Sequence, residues 1–150
     1  MVFEFKDKQF LQTDIKTAWK YFSNPKNLPE ITPDWLNFRI KSDIPENMHE
    51  GLIIKYKVSP LLNISSNWIT EITHVKEPYF FVDEQIKGPY KMWIHQHTFE
   101  EKNGGIEMTD TVYYEIPFNF IGNILNSLLI KKKVKEIFNY RRAVLKKKFK

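Results

Sequence analysis

From residue 36 to residue 116 the apolar side chains recur at every second position, and beyond Pro117 they recur every three to four. A period of two puts alternate residues on opposite faces of a strand, whereas 3.6 draws one stripe along a helix. The alternating part divides into six expected strands, 36–42, 52–59, 65–75, 79–86, 90–101 and 106–116. Between them stand Pro45-Glu46-Asn47 ahead of Gly51, Glu77-Pro78, Gly88-Pro89 and Asn103-Gly104, all residues that turn a chain. Asn103-Gly104 is the strongest of these signals, because both tolerate the positive φ of a type I′ hairpin turn.

The flanks complete the architecture. A further strand is expected over 2–12. Thr13 then offers an N-cap, and Ile15, Ala18, Trp19 and Phe22 share one helical face. Asn24-Pro25 ends that helix, and Pro25 opens a second short one through Leu28 before Pro29 and Pro33 intervene. After Pro117 one helix of about 25 residues is expected. Its stripe begins with Ile121, Ile124, Leu125 and Leu128 and continues through Ile130, Val134, Ile137, Phe138, Arg141, Val144 and Leu145. Lysines crowd all sides at 131–133, where a kink is expected. The fold class is therefore α+β: about seven strands in a curved antiparallel sheet around a long C-terminal helix, with two short helices after the first strand. A sheet curved this strongly is not filled by one helix, so a ligand cavity between the layers is expected, its mouth near the helix start.

At 150 residues, with 42% hydrophobic and 27% charged content, one domain spanning 1–150 is expected. There is no cysteine, which removes disulfides, thiolate metal sites and cysteine nucleophiles. The chain starts without the basic and apolar run of a secretory signal, and charges interrupt every hydrophobic segment, so a cytoplasmic location and no membrane span are expected. Net charge is +5, but residues 131–150 hold ten Lys or Arg against one Glu; that segment carries +9 and the rest −4. Basicity confined to one helix end, without interleaved aromatics, argues against nucleic acid. It suits a solvated face near the negative helix end or peripheral contact with an anionic membrane.

A two-residue turn at Asn103-Gly104 pairs Lys102 with Gly105, and with it Phe99 with Met108, His97 with Asp110, His95 with Val112 and Trp93 with Tyr114. This face holds the large apolar residues and so is expected inside, which turns two His and one Asp inward. Phe81, Asp83 and Gln85 are assigned the same face, so that Asp83 supplies a partner for a buried imidazole. Alternation adds Ile54, Tyr56, Trp68, Thr70 and Ile72. Buried polar groups must be bonded or paired. Asp83, Gln85, His95, His97 and Asp110 can accordingly form a satisfied network with His97 on Asp110, anchors for an apolar ligand, an acid–base His–Asp pair, or a metal set. No recognised ligand spacing supports the last, so neither metal nor cofactor is expected. Candidate catalytic residues are His95, His97 and Asp110; candidate ligand contacts are Tyr56, Trp68, Asp83, Gln85, Trp93, His95, His97, Asp110 and Tyr114. His49 and His74 read as ordinary loop and strand-end residues. Trp35 reads as a core cap or a pocket wall, the core being favoured. No phosphate-binding glycine loop, GxSxG elbow or HExxH motif occurs.

The run Phe81-Val82-Asp83-Glu84-Gln85, then Gly88-Pro89-Tyr90, Trp93-x-His95-x-His97-x-Phe99 and Met108-x-Asp110-x-Val112-x-Tyr114-x-x-Pro117 resembles the bacterial ligand-binding branch of the START-like superfamily. That superfamily includes the polyketide cyclase/dehydrase and SRPBCC proteins. The resemblance extends over nearly the whole chain, through Pro25, Pro33-x-Trp35, Gly51, Ile54-x-Tyr56 and Phe138-x-Tyr140-Arg141. It implies a helix-grip fold with a deep cavity for lipids, polyketides or other hydrophobic molecules. It implies no particular reaction, since carriers, sensors and enzymes share that fold. The expected function is carriage or sensing of a small hydrophobic molecule, the alternative a cyclase or dehydratase using a His–Asp pair.

Overall fold

The computed structural model describes residues 1–61, 64–117 and 121–150, with the backbone alone for residues 61 and 121–127. Seven strands form one antiparallel sheet: β1 (Val2–Leu11), β2 (Arg39–Ile40), β3 (Ile53–Leu61), β4 (Ile64–Lys76), β5 (Phe80–Lys87), β6 (Met92–Lys102) and β7 (Gly105–Glu115). Their order is β1-β7-β6-β5-β4-β3-β2. Helix α1 (Ile15–Phe22) and two 3₁₀ segments, Pro25–Ile31 and Asp34–Leu36, lie between β1 and β2, and α2 (Ile121–Lys148) ends the chain.

The hairpin register is the expected one: Lys102 faces Gly105, Phe99 faces Met108, His97 faces Asp110, His95 faces Val112 and Trp93 faces Tyr114. Asn103 and Gly104 adopt φ of 51° and 79° at its tip, as a type I′ turn requires. Register shifts between Ile69 and Thr70 and between Ile72 and His74 break the β4–β5 ladder; irregularities of this kind bend a sheet. The far half of the sheet is thereby carried around α2.

Four local expectations differ from the structure. Asp14, not Thr13, caps α1: its Oδ1 accepts the amides of Lys16 and Thr17 at 3.0 Å each, and its Oδ2 the Thr17 hydroxyl. The second short helix is a 3₁₀ segment that carries Pro29 inside it, a geometry that tolerates the missing amide for one short stretch. The expected strand 36–42 shrinks to Arg39–Ile40, because the chain makes a 3₁₀ turn through Leu36 and Asn37 takes the left-handed conformation at φ 47°. Leu128 is exposed instead of joining the buried stripe. At 100° per residue it lies about 160° around the helix from Ile130, and Ile130, Val134, Phe138, Arg141 and Leu145 form the buried line. The expectations for Ile121, Ile124 and Leu125, and for a cavity mouth beside them, lie outside the described residues. The helix runs uninterrupted through Lys131–Lys133.

Helix α2 lies over one half of the sheet. Leu145 packs with α1 and with Phe99, Ile106 and Met108 of β6 and β7; Ile130, Val134 and Phe138 pack with Trp93, Val112 and Tyr114. Among the described residues, the third cluster contains none from α2: Leu52, Ile54, Tyr56, Val58 and Ile72 gather on β3 and β4. The space between this outer wall and the helix is the cavity.

Candidate functional site

The cavity has a volume of about 150 Å³. Ile54, Tyr56, Val58, Trp68 and Ile72 form its outer wall; Ile137 and Phe138 of α2 stand opposite; Leu28, Leu36 and Phe38 close one side. The interior assignments of Ile54, Tyr56, Trp68, Thr70 and Ile72 thus hold, each following from strand alternation on the side that turned out concave. Trp68 and Trp93 meet edge-to-face at 5.3 Å, and Tyr90 packs on Trp93 at 4.7 Å, giving the wall a rigid aromatic section.

One end of this apolar space is ionic. Asp83, His95, His97 and Arg141 line it, and Asp110 lies behind the two imidazoles, outside the lining. In register His95 faces Asp83 and His97 faces Asp110, yet the bonds run diagonally. His95 Nε2 bonds Asp110 Oδ1 at 2.9 Å, and His97 Nε2 bonds Asp83 Oδ2 at 3.0 Å. Side chains that lean along their strands reach such diagonal neighbours. His97 Nδ1 is also 2.9 Å from Asp110 Oδ1 but is not aimed along a hydrogen bond, so that contact is ionic. Arg141 Nη1 adds a second cation 3.5 Å from the same oxygen, and its guanidinium covers the Phe138 ring.

These neighbours set the charges. Burial pushes the Asp110 carboxyl up, but the bond from His95, the close contact of His97 and the Arg141 charge outweigh it and hold Asp110 well below the usual carboxylate range. Asp83 follows the same balance and is also lowered, with His97 as its main bonded partner. The imidazoles diverge. Burial and the neighbouring His97 lower His95, whereas for His97 the close carboxylates of Asp110 and Asp83 overcome burial and raise it. With ring centroids 3.7 Å apart, a charge on one imidazole disfavours a charge on the other, and the two carboxylates and the Arg141 guanidinium enclose the pair.

The remaining sequence candidates fall behind the lining. Gln85 grips the 88–90 loop, donating to Tyr90 O at 2.7 Å and accepting the Tyr90 amide at 3.3 Å, so it holds the Tyr90 ring against Trp93 without reaching the cavity. Tyr114 is buried beneath Phe3 and Trp93, and its hydroxyl is raised by that burial. Trp35 is neither core nor cavity wall; its ring lies 4.3 Å from Lys133 Nζ. His49 and His74 are exposed, as expected.

Arg141 is the residue that sequence reasoning passed over. It stood in the apolar stripe of the last helix, and a guanidinium on a buried stripe needs an anion across the interface. Asp110, the buried acidic residue of the terminal hairpin, is that anion. Some terminal cations also serve the fold: Lys148 bonds Glu30, and Arg142 bonds Asp7. No helix among the described residues is long and apolar enough to cross a membrane.

A seven-stranded antiparallel sheet curved around a C-terminal helix, with an apolar cavity between them, defines a helix-grip ligand-binding fold. The sequence matches the family model "Polyketide cyclase / dehydrase and lipid transport" over residues 11–134, and the chain belongs to that family. Solved structures agree on the fold. It is similar to a START superfamily protein from Mycobacterium smegmatis, with TM-score 0.68 and 11% identity over 97% of this chain and 96% of that one. It is also similar to Ara h 8.0201, with TM-score 0.63 and 14% identity over 97% and 98% of the two chains. A protein from Arthrobacter aurescens gives TM-score 0.69 and 12% identity over 96% and 86%. No curated protein matches the sequence.

Proposed function

We propose that this chain binds a small, largely apolar molecule in the cavity between α2 and the β3–β4 wall, as a carrier or sensor. The observation that carries the proposal is an apolar chamber closed at one end by polar groups already paired with one another. Apolar walls supply affinity, and a few fixed polar groups supply orientation. Tyr56, Trp68 and Trp93 would hold the body of the ligand; Asp83, His95, His97 and Arg141 would meet a polar atom at its end. Asp110, Gln85 and Tyr114 would act from behind, keeping those groups in place. A cavity of about 150 Å³ lined by apolar side chains takes a single aromatic ring. A lipid or polyketide-like molecule would fit by displacing side chains of the wall. The compartment assigned is the cytoplasm, where an interior closed without disulfides is at no disadvantage.

Native mass spectrometry of protein purified from cells, with thermal shift against single-ring aromatics, fatty acids and polyketide-like compounds, tests this. A co-purifying small molecule, or an upward shift with one compound class that Trp68→Ala abolishes, is expected. No bound mass and no shift across all three classes would sink the proposal.

A second function rests on its own observation. The bond from His95 to Asp110 fixes an imidazole at the cavity wall, as a cyclase or dehydratase moving a proton requires. A bell-shaped pH–rate profile that vanishes in His95→Ala while ligand binding persists would establish it; no turnover of any bound ligand would leave the chain a binder.

A further inference from the structure

We infer that the ionic end of the cavity is a binding site for a first-row divalent transition ion, held by His95 Nδ1, His97 Nε2 and Asp83 Oδ2. The inference does not depend on what fills the apolar chamber.

The donor atoms converge. Asp83 Oδ2 lies 3.0 Å from His97 Nε2 and 3.7 Å from His95 Nδ1. All three residues offer one ligand atom within 4.8 Å of the others. A tetrahedral ion with bonds of about 2.0–2.1 Å holds its ligands roughly 3.3 Å apart, between the two observed separations. In the metal-free protein the hydrogen bond between His97 and Asp83 occupies the place, and the ion would replace it.

The outer contacts fit as well. Metal-bound imidazoles donate their other N–H to a carboxylate, which fixes the tautomer. Here His95 Nε2 bonds one oxygen of Asp110 at 2.9 Å, and His97 Nδ1 lies at the same distance from that oxygen without being aimed at it. Asp110 is outside the cavity lining while Asp83, His95 and His97 are in it, so the three donors stand on the cavity side of the carboxylate that would orient them. Charge agrees. With both imidazoles neutral, Asp83, Asp110 and Arg141 leave one net negative charge for a dication to meet, and Arg141 makes its contact on Asp110, not on the ligand Asp83. Two imidazoles and a carboxylate favour zinc or iron over calcium or magnesium, which prefer oxygen donors alone. Three protein ligands leave a position open toward the chamber, where a ligand oxygen or a water could bind.

Titration of the full chain with Zn²⁺ and, separately, Co²⁺ tests the site. One equivalent is expected, with the visible bands of four- or five-coordinate cobalt. His95→Gln and Asp83→Asn should abolish those bands, the double variant His49→Gln/His74→Gln should retain them, and Asp110→Asn should weaken Zn²⁺ binding by about 10–100-fold. Should the cavity variants fail to fold, histidine ring ¹⁵N spectra of the unaltered protein still decide: Zn²⁺ must move His95 Nδ1 and His97 Nε2. Those two resonances unmoved by Zn²⁺, or cobalt bands lost from the His49/His74 variant and kept by Asp83→Asn, would overturn the inference. Apolar-ligand binding that persists in metal-free protein would leave the cavity proposal standing whatever the metal result.

Discussion

Arg141 and Asp110 show how a single buried pair settles the charge of the interior. Removing the guanidinium leaves Asp110 with the imidazoles alone, so Arg141→Met should destabilise, by less than the roughly 3–5 kcal/mol of a buried ion pair broken outright. Asp110→Ala takes the shared anion from His95, His97 and Arg141 at once and should cost more, about 3–5 kcal/mol. Urea midpoints at neutral pH measure both. The buried tyrosines make a prediction at the other end of the pH scale. Burial raises Tyr56 and Tyr90 far above the ordinary phenol, with Asp83 and Tyr114 adding to the respective shifts. A folded pKa above the unfolded one stabilises the protein fully below the unfolded value, about 10, and that contribution is lost as pH rises beyond it. Melting temperature should therefore fall above about pH 10. Tyrosinate absorbance from Tyr56 and Tyr90 should appear together with unfolding and not before it; in Tyr56→Phe/Tyr90→Phe the alkaline fall should be shallower. An unchanged alkaline fall in that variant would contradict this.

At the scale of elements, backbone packs tightly where the end of β1 pairs with the start of β7 beside the hairpin turn. A Cβ on Gly105 would lie 2.5 Å from Leu11 O and 2.5 Å from the Phe10 ring, and the carbonyl belongs to backbone held in the sheet. Gly105→Ala should therefore cost about 1–3 kcal/mol, an overpacking penalty. Along α2 the costs should follow the buried line. Leu145→Ala, at 0% exposure, should cost about 2–5 kcal/mol, while Leu128→Gln, at 72% exposure, should stay within about 0.5 kcal/mol of the parent. Chemical denaturation of the three variants checks the ordering. Equal losses from Leu128→Gln and Leu145→Ala would mean that the helix seats on another face.

For the whole molecule, ligand and metal act on one equilibrium. A proposed ligand that binds only the folded state would contribute about 2.7 kcal/mol at a hundredfold excess over its dissociation constant, and the proposed ion less to the extent that it also binds unfolded histidines. For a chain of this length that corresponds to about 2–4 °C of melting temperature per kcal/mol. Since metal and ligand meet at the head of one chamber, a ligand with an oxygen donor should gain affinity when Zn²⁺ is present, and an unfunctionalised hydrocarbon should not. Calorimetric titration of both ligands with and without Zn²⁺ makes the comparison; equal affinities in all four cases would place the ion outside the chamber. Binding is reciprocal, so the same oxygenated ligand must tighten Zn²⁺ by the same factor.

Much of this was legible in the order of residues. Alternation across 36–116, the Asn103-Gly104 turn and the apolar stripe after Pro117 identify sheet, hairpin and helix, because period and turn chemistry are local properties of the backbone. The turn also placed His95, His97 and Asp110 on the inward face, since a two-residue hairpin leaves the register no freedom. What lay beyond the sequence was contact between elements distant along the chain. The diagonal exchange of partners, His95 to Asp110 and His97 to Asp83, depends on how side chains lean across three strands. Arg141 meets Asp110 only because α2 crosses β7 at that height, and Gln85 is drawn from the chamber by a loop amide that no alternation rule sees. The third donor of the proposed metal set comes from β5 and not from the strand that carries both histidines, so no linear spacing announces it; convergence in space, fixed by the sheet's curvature, is a property of the tertiary structure alone.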